Sequence, residues 1–390
     1  MKIVIVGGGF AGVKAALSLA NKKSVEVRLI SDQTYFEYHA AMYRLATGRS
    51  PLEVAIPLEE FFAFAKNVEV VQDKIVSIDN EVKYLMGESG SRYGYERLIL
   101  ALGSVTEYYD IKGIEDHSHG VKTVHEALKL KRTLHEQLTA KGADSNYAVI
   151  GGGASGIELS AELTFYLKKI RGKHRLEDSF SVNLIEAGPR LLASTPNDFS
   201  SKVEGRLKRI GVQVLLNTSV KSESIDGIRL AQGSIKTHTA MWTAGTINNP
   251  FFKKFPNLFK LGKMNRVEVD QYLRAAADVY VVGDSANTEY SGMAQTALYD
   301  ASFVASNITR EINGRALKSY IPKKPIYAIP VGSRWAAVLW GDKRIYGRLG
   351  WVVRRLADFR LYLTFLPFRK ALTKWRYGLQ SNEVCPVCNG

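Results

Sequence analysis

The chain of 390 residues is long enough for two or three domains, and its 46% hydrophobic and 23% charged residues are typical of a globular protein. Its formal net charge of +15 predicts an anionic partner, such as a membrane lipid, a nucleic acid or an acidic ligand. No apolar run reaches the ~20 residues that a membrane-spanning helix needs. The two cysteines, Cys385 and Cys388, lie at the end of the chain, which excludes a disulphide framework and favours a cytosolic protein. Because the first strand begins next to Met1, we expect no signal peptide.

The first residues predict a buried strand, a glycine turn and a helix. The apolar run Ile3–Val6 is followed by Gly7, Gly9 and Gly12 and then by a stretch with helical apolar spacing. In this spacing the first glycine allows a tight turn, the second lets the backbone approach a pyrophosphate, and the third lets the helix pack closely on the strand. Free N–H groups at the helix start then hold the phosphates. The pattern predicts a dinucleotide-binding site.

The second predicted strand, Val25–Ile30, ends at Ser31 and Asp32. An acidic residue about 20 positions beyond the glycines binds ribose hydroxyls in this type of fold. Asp32 has that spacing, although the strand itself ends at Ser31. We expect Asp32 to contact a ribose in a shifted register, with a simple turn residue as the alternative.

The opening pattern recurs in the middle of the chain. Tyr147–Ile150 leads into Gly151, Gly153 and Gly156, and the next predicted strand ends on Glu186. A carboxylate at that place accepts hydrogen bonds from both ribose hydroxyls and repels a 2′-phosphate. The sequence therefore predicts a second nucleotide and favours NADH over NADPH, unless Glu186 is only a surface residue. Arg190 does not change this preference, since a single arginine four residues later can serve structure.

Three further strands are predicted to end in small residues, which allow backbone to come close to a ligand. These turns are Ala101-Leu102-Gly103, Ala244-Gly245 and Gly283-Asp284. The carboxylate of Asp284 is placed to bind a ribityl hydroxyl of a flavin. A cap on the following helix is the alternative.

The segment between Arg348 and Tyr377 combines apolar and aromatic residues near helical spacing with many cations. We expect it to form amphipathic helices in a membrane interface, broken at Pro367. The alternatives are a core-facing helix with solvated arginines and, less favoured, a nucleic-acid arm. The apolar residues are Trp351, Val352, Leu356, Phe359, Leu363, Phe365 and Leu366, and the cations are Arg354, Arg355, Arg360, Arg369, Lys370, Lys374 and Arg376.

These motifs together resemble the two-dinucleotide-binding flavoproteins, and specifically the type II NADH dehydrogenases, which are monotopic NADH:quinone oxidoreductases. The resemblance covers nearly the whole chain. It is carried by Val4–Gly12, Tyr43, Ala46–Gly48, Ala101–Gly103, Gly151–Glu158, Trp242–Gly245, Val281–Asp284, Ala294-Gln295 and the tail from Val331 to Tyr377.

The resemblance implies FAD on the first fold and NADH on the second, with hydride passing from NADH C4 to flavin N5 and two electrons then passing to a membrane quinone without proton pumping. The residues assigned to FAD are Gly7, Gly9, Phe10, Ala11, Gly12, Ser31, Asp32, Ile75, Ala101, Gly103, Gly283, Asp284, Ala294 and Gln295. Those assigned to NADH are Gly151, Gly153, Ala154, Ser155, Gly156, Glu186, Ala244 and Gly245. No metal is expected.

The resemblance also implies catalytic roles for two residues. Gln295 would lie at the isoalloxazine ring beside the quinone pocket, and Glu158 would handle protons near the nicotinamide. Taken alone, Glu158 could equally be an acid favoured by the helix dipole. Tyr299, Asp300 and Ala301 replace the family's usual two glutamines and glycine, and Ala40 replaces its usual proline, so an altered quinone pocket is expected.

The positions of the cysteines bear on which group accepts electrons from the flavin. Disulphide reductases and sulphide:quinone reductases need cysteines beside the flavin, and this chain has none before Cys385. The pair Cys385 and Cys388 is interpreted as part of an unstructured end, with a zinc site shared across a dimer as the alternative.

The sequence thus predicts an α/β protein with two Rossmann-like domains and a C-terminal amphipathic helical anchor. The predicted boundaries are 1–108 with 265–320 for FAD, 109–264 for NADH and 321–390 for membrane association. We expect a peripheral protein at the cytoplasmic face of the cell membrane that binds quinone and anionic lipid but no nucleic acid, with a homodimer left open. The alternatives are a quinone reductase related to apoptosis-inducing factor and the ferroptosis suppressor, and a redox-sensing flavoprotein that acts by binding.

Overall fold

The computed structural model describes residues 1–139, 145–173, 175–176 and 179–381. Two parallel sheets organise this part of the chain. The larger sheet has six strands. Five of them are parallel, and the edge strand Arg274–Ala276 runs antiparallel to its neighbour. In spatial order the strands are Arg274–Ala276, Val279–Val281, Arg97–Leu100, Lys2–Val6, Glu26–Ser31 and Val68–Gln72.

The second sheet has four strands, all parallel. Their spatial order is Val212–Leu215, Ser181–Ile185, Asn146–Ile150 and Thr239–Trp242. Both sheets therefore have the first strand of their fold in an interior position. This order brings the turns after several strands to the same sheet edge, where α/β folds bind nucleotides.

Antiparallel pieces complete the fold. Ser104–Thr106 pairs with Thr246–Asn248 where the chain enters and leaves the second domain, and Tyr35–Glu37 pairs with Ala55–Pro57. Three small three-stranded sheets lie outside the main ones. Their strands are Ile75–Asp79, Tyr84–Gly87 and Arg92–Gly94; Val220–Ser224, Gly227–Leu230 and Ser234–Lys236; and Tyr327–Pro330, Ala336–Trp340 and Lys343–Tyr346.

Most helices of the structure coincide with stretches of the sequence whose apolar residues recur at helical spacing. They are Phe10–Leu19, Met42–Ala46, Glu59–Phe62, Ile114–His117, Val124–Thr139, Ala154–Lys173, Asn197–Ile210, Ala294–Ile312, Gly347–Phe365 and Phe368–Tyr377. Single 3-10 turns are His39–Ala41, Pro51–Glu53, Pro250–Lys254, Lys263–Asn265 and Gly283–Ser285.

Two predicted elements differ from the structure. The residue pattern over 58–66 predicts a helix, but the structure has only a single turn there, Glu59–Phe62, which buries the rings of Phe61 and Phe62. The apolar alternation over 68–78 predicts one extended segment, which the structure divides into two strands in different sheets, Val68–Gln72 and Ile75–Asp79. The break at Pro367 in the tail is confirmed, since one helix ends at Phe365 and the next begins at Phe368.

The largest apolar cluster crosses all three predicted regions. It joins the first sheet through Ile5, the second sheet through Val149 and the tail through Tyr362 and Phe365. The tail is thus packed into the core along one side. Within the described residues, no helix combines the length and apolar character required to cross a membrane.

Candidate functional site

The three glycines of the first turn occupy three different steric environments. Gly7 has φ +113° and a Cβ there would overlap the carbonyl of Ala101, while a Cβ on Gly12 would overlap the carbonyl of Gly7. A Cβ on Gly9, by contrast, would meet no atom within 4 Å. The backbone is therefore closely packed at the first and third glycines and open at the second, where a pyrophosphate approaches.

The second turn repeats this arrangement. Gly151 has φ +115° and lies against Ala244, Gly156 lies against the Gly151 carbonyl, and Gly153 faces open space. The same three environments at two separate strand ends fit two dinucleotides. The sequence prediction of two such turns is confirmed by this geometry.

Glu186 lies beside the second turn with both carboxylate oxygens hydrogen-bonded. Gly152 N donates to Oε2 at 2.6 Å, and Gly188 N donates to Oε1 at 2.6 Å. The Arg190 guanidinium donates to the carbonyls of Leu192, Ala193 and Thr195. Arg190 thus serves the local loop, and the nearest charge at the turn is the negative charge of Glu186.

The strand registers place Ser31 where the second fold has Glu186. Ile30 pairs with the last residue of the first strand in one sheet, and Ile185 does so in the other. Ser31 is buried and faces Gly8 as Glu186 faces Gly152. Asp32 is exposed one residue further on, so its contact with a ribose stays a prediction.

A polar chain joins the turns after two strands of the first sheet to Lys122, which precedes helix Val124–Thr139. Ser104 Oγ donates to Asp284 Oδ2 at 3.1 Å, and Lys122 Nζ donates to Ser104 Oγ at 3.0 Å. Burial lowers the pKa of Lys122, which Asp284 and Glu126 oppose. Sequence reasoning missed Lys122: the Thr123-x-x-Glu126 capping pattern marks the start of a helix, but gives no sign that the preceding lysine turns towards Asp284.

Asp300 supports the Gly283 turn from behind. This fully buried carboxylate accepts a hydrogen bond from Gly283 N at 3.1 Å through Oδ2 and from Tyr320 Oη at 2.6 Å through Oδ1. Burial raises the pKa of Asp300 to about 6, although both hydrogen bonds lower it. Asp300 stands where a glutamine is usual in the family, and in this structure its carboxylate supports the Gly283 turn.

Gln295 is held by the backbone of a neighbouring segment. Its Nε2 donates to Ile326 O at 2.8 Å, and its Oε1 accepts from Ile326 N at 3.1 Å. Both ends of the amide are used, so the side chain ties the start of helix Ala294–Ile312 to the segment that enters the tail. Ile75 is buried in an apolar cluster with Val4 and Val6. Its contact with FAD remains a prediction, as does catalysis by Gln295.

Glu158 lies in the first turns of helix Ala154–Lys173, against helix Met42–Ala46. Burial raises the pKa of its carboxyl to about 7, although Arg354 and Arg44 lower it. Burial also raises the pKa of Tyr43, and the Glu158 charge adds to that shift. The structure therefore brings together an acid that titrates near neutral pH, a tyrosine and two guanidinium groups from distant parts of the chain.

These guanidinium groups belong to a buried ionic cluster, defined as Arg44, Glu53, Arg354, Arg355 and Asp358. Arg44 Nη2 lies 2.9 Å from Glu53 Oε1 and 3.1 Å from Asp358 Oδ2, and Arg354 Nη1 lies 3.1 Å from Asp358 Oδ1. Burial alone would raise the pKa of Asp358, but Arg354 and Arg44 hold it below its ordinary value.

The hydrogen bonds around this cluster join the tail to the first domain. Tyr38 Oη donates to Asp358 Oδ1 at 2.5 Å, and Arg354 Nη2 donates to Ala40 O at 3.0 Å. The expectation that Arg354 and Arg355 line a solvated or lipid-facing surface is therefore wrong. Lys374 is also buried, 3.7 Å from Glu60.

The opposite face of the tail carries an exposed apolar stripe, defined as Leu349, Val352, Leu356 and Leu363. Their spacing of three, four and seven residues places them on one side of helix Gly347–Phe365, and each side chain is at least 41% exposed. Four exposed arginines accompany the stripe: Arg348, Arg360, Arg369 and Arg376. Phe365 and Leu366, which the sequence assigned to the apolar face, are buried in the core.

No three His, Cys, Asp or Glu side chains within the described ranges form a group suited to hold a metal ion. Cys385 and Cys388 lie outside the described residues.

The fold and the two glycine turns define a protein with two dinucleotide-binding domains. A family model described as pyridine nucleotide-disulphide oxidoreductase matches residues 1–301. The chain therefore belongs to the pyridine nucleotide-disulphide oxidoreductase family. Its relatives indicate a narrower group within that family.

The chain is 28% identical to the type II NADH:quinone oxidoreductase of Haemophilus influenzae, over 82% of each chain. It is 26% identical to the type II NADH:quinone oxidoreductase Ndh of Mycobacterium tuberculosis, over 96% of this chain and 87% of that one. Among solved structures, NDH2 from Plasmodium falciparum in complex with NADH superposes with a TM-score of 0.86 over 98% of both chains, at 17% identity. At that identity the superposition establishes the shared fold.

Proposed function

We propose that this protein is an FAD-dependent NADH:quinone oxidoreductase of the type II class. The observation that carries the proposal is the pair of glycine turns, each open at its middle glycine, with a carboxylate beside the second. When bound, FAD would supply the redox chemistry, which is to accept hydride from NADH and to pass two electrons to a quinone. The names of the relatives from Haemophilus influenzae and Mycobacterium tuberculosis support quinone as the acceptor.

Glu186 selects NADH in this proposal. Its carboxylate is held in place by two backbone amides, where the ribose hydroxyls of adenosine approach. A 2′-phosphate at the same position meets a fixed negative charge, and Arg190 is engaged by three carbonyls. NADH is therefore the preferred reductant.

The residues that hold FAD in this proposal are those assigned from the sequence, with Ser104 and, from the second domain, Lys122 added. Lys122 and Ser104 fix the Asp284 carboxylate, and Asp300 fixes the turn that carries it. Glu158 then holds or releases a proton close to the reacting groups, because its pKa of about 7 allows both states near neutral pH. Arg354 limits how far that pKa rises.

We also propose that the exposed apolar stripe and its four arginines bind the surface of an anionic membrane. Inserted leucines and flanking cations are the two contributions by which interfacial helices bind anionic lipid. A face with this share of apolar area favours lipid over nucleic acid. The proposed location is the cytoplasmic face of the cell membrane, and the domain boundaries and a homodimer are retained from the sequence as proposals.

Absence of cysteine from residues 1–301, the part matched by the family model, argues against a disulphide reductase within the same family. The flavin-adjacent thiols that such enzymes use have no counterpart there. The electrons therefore leave the flavin by a route that does not pass through a cysteine pair.

Purified protein tests the proposed function. We expect a yellow preparation whose flavin absorbance bleaches with about one equivalent of NADH under anaerobic conditions, and rapid NADH oxidation with a soluble quinone analogue. A colourless protein that does not take up FAD would refute the proposal. Turnover with the quinone analogue no faster than with oxygen alone would favour the binding-type flavoprotein.

A further inference from the structure

A polar groove of about 350 Å³ lies at the far end of two helices of the first domain. Helices Phe10–Leu19 and Ala294–Ile312 pack side by side, with their first residues at the glycine turns and their last residues at the groove. The second helix contributes Ser302, Ser306, Thr309 and Arg310 from one face, at spacings of three to four residues. The groove thus runs along the second half of helix Ala294–Ile312 and past its end, away from the glycine turns at the helix starts.

The charged side chains that line this groove all carry the same sign. Lys22, Arg310 and Arg315 are its only ionisable residues, and no carboxylate lines it. None of the three forms an ion pair with a residue that the structure describes. Arg310 Nε donates to Ala316 O at 2.6 Å, which fixes the orientation of the guanidinium and leaves its other N–H groups for a ligand.

Two helices end at this groove, and the partial negative charge at each C-terminus favours nearby cations. The groove also places three cations beside the hydroxyls of Ser18 and Ser306, which are donors suited to phosphate oxygens. The side chains of Ser302, Thr309 and Asn313 already donate to backbone carbonyls of their own helix. Guanidinium and hydroxyl groups around a cavity of this size are the usual chemistry of phosphate recognition.

We propose that this groove is a binding site for a phosphate group, either of a soluble phosphorylated molecule or of a lipid headgroup. Arg310 and Arg315 bind the phosphate oxygens through paired N–H groups, Lys22 adds a third charge, and the hydroxyls of Ser18 and Ser306 complete the donor set. The site is distinct from both glycine turns, so a ligand can occupy it while FAD and NADH are bound.

Calorimetric titration of the holoenzyme with inorganic pyrophosphate tests the proposal, with saturating NAD⁺ present to occupy the second glycine turn. We expect one saturable site whose affinity falls at least ~tenfold in the Lys22→Ala/Arg315→Ala double variant. The Lys22→Arg/Arg315→Lys variant keeps both charges but loses the paired N–H groups of Arg315, so it should bind more weakly than the parent and more tightly than the double alanine variant. A matched control, Lys253→Ala/Lys254→Ala, removes two exposed charges elsewhere and should bind like the parent.

Equal binding by the parent and the Lys22→Ala/Arg315→Ala variant, or no saturable binding by the parent, would overturn the proposal. Retained FAD absorbance and an unchanged melting temperature show that each variant is folded. Co-sedimentation with phosphatidylcholine vesicles containing phosphatidic acid then identifies the source of the phosphate. Parallel loss of vesicle and pyrophosphate binding in the double variant supports a lipid headgroup, and loss of pyrophosphate binding alone supports a soluble ligand.

Discussion

At the scale of single residues, the site depends on the absence of a side chain at each glycine and on the position of each charged group. Gly7 and Gly151 adopt backbone angles that side chains rarely allow, and Gly9 and Gly153 leave an open surface. The two turns are sterically alike, so the difference between them comes from their neighbours. A serine lies beside the first turn and Glu186 beside the second.

The Glu186→Gln variant should bind NADH more weakly. It removes a charged acceptor, and hydrogen bonds to charged groups contribute about 1.5–3 kcal/mol, so we expect KM for NADH to rise roughly ten- to a hundredfold. The preference for NADH over NADPH should narrow at the same time. Steady-state kinetics with both nucleotides measures this, with Glu81→Gln, an exposed acid elsewhere, as the control. An unchanged ratio would show that Glu186 does not choose the nucleotide.

The Glu158→Gln variant should change the pH dependence of turnover. Burial raises the pKa of Glu158 from 4.5 to about 7, and glutamine cannot ionise. We expect the inflection near pH 7 in the kcat profile to disappear while the dissociation constant for NADH stays similar. A profile identical to that of the parent would contradict a proton-handling role.

The same shift affects stability. The folded protein keeps the Glu158 proton over a pH range in which the unfolded chain releases it, so this group's stabilising contribution is lost as pH rises from about 4.5 to about 7. The difference in melting temperature between parent and variant should therefore change over that interval.

At the scale of elements, helix Gly347–Phe365 has two faces with different partners. Asp358, Tyr362 and Phe365 face the first domain, and the exposed apolar stripe faces away. Removal of the whole tail would therefore expose the core and leave Arg44 and Glu53 without Asp358. Point variants on each face separate anchoring to the protein from binding to a membrane.

The Asp358→Asn variant should destabilise the protein strongly. It leaves the three guanidinium groups of the cluster with only Glu53 and the nearby Glu158 to oppose them, and breaking a buried ion pair costs about 3–5 kcal/mol. Denaturant unfolding of the FAD-bound protein measures the loss, with Asp342→Asn in an exposed loop as the matched control. A change below about 1 kcal/mol would mean that the ionic cluster does not hold the tail in place.

The Leu349→Gln/Leu356→Gln variant should lose membrane binding without losing stability. Each leucine is more than half exposed, so the fold depends little on it, and transfer of its apolar surface to lipid is favourable. We expect binding to anionic vesicles to fall at least ~tenfold, whereas the control Val82→Gln/Ile225→Gln, at two other exposed apolar sites, should bind like the parent. Equal binding by both variants would place the membrane surface elsewhere.

At the scale of the whole molecule, two nucleotide folds and the tail share one apolar core. The antiparallel pair Ser104–Thr106 and Thr246–Asn248 ties the two crossings between the domains together. The proposed flavin turn, the carboxylate Glu158 and the tail are thereby kept in fixed relation. The charge of the whole chain, +15, then acts on any anionic surface that the stripe approaches.

Vesicle binding by the parent protein should weaken with salt without vanishing. The Debye length falls from about 10 Å at 0.1 M to about 3 Å at 1 M, which screens the arginines but not the buried leucine surface. We expect residual binding at high salt in the parent and none in the Leu349→Gln/Leu356→Gln variant. Sedimentation across a salt series measures both, and complete loss in the parent would assign binding to charge alone.

The sequence by itself determined the two nucleotide folds, because the spacing of Gly7, Gly9 and Gly12 after an apolar strand, and its repeat, can be recognised along the chain. The structure adds which atoms require those glycines, since a Cβ on Gly7 or Gly151 would meet the distant residues Ala101 or Ala244. The pairing of Lys122 with Asp284, and of Asp300 with Gly283, could not be predicted in this way. Each joins residues that only the packing of separate elements brings within hydrogen-bond distance.

The tail shows the same division most clearly. Its amphipathic composition and the break at Pro367 follow from residue type and order, which the sequence displays directly. Which arginines face solvent depended on the tertiary structure, since Arg354 and Arg355 turn inward to Asp358, where Tyr38 and Arg44 of the first domain also meet that carboxylate. The charge pattern along one helix does not predict which charged residues from another part of the chain pack against it.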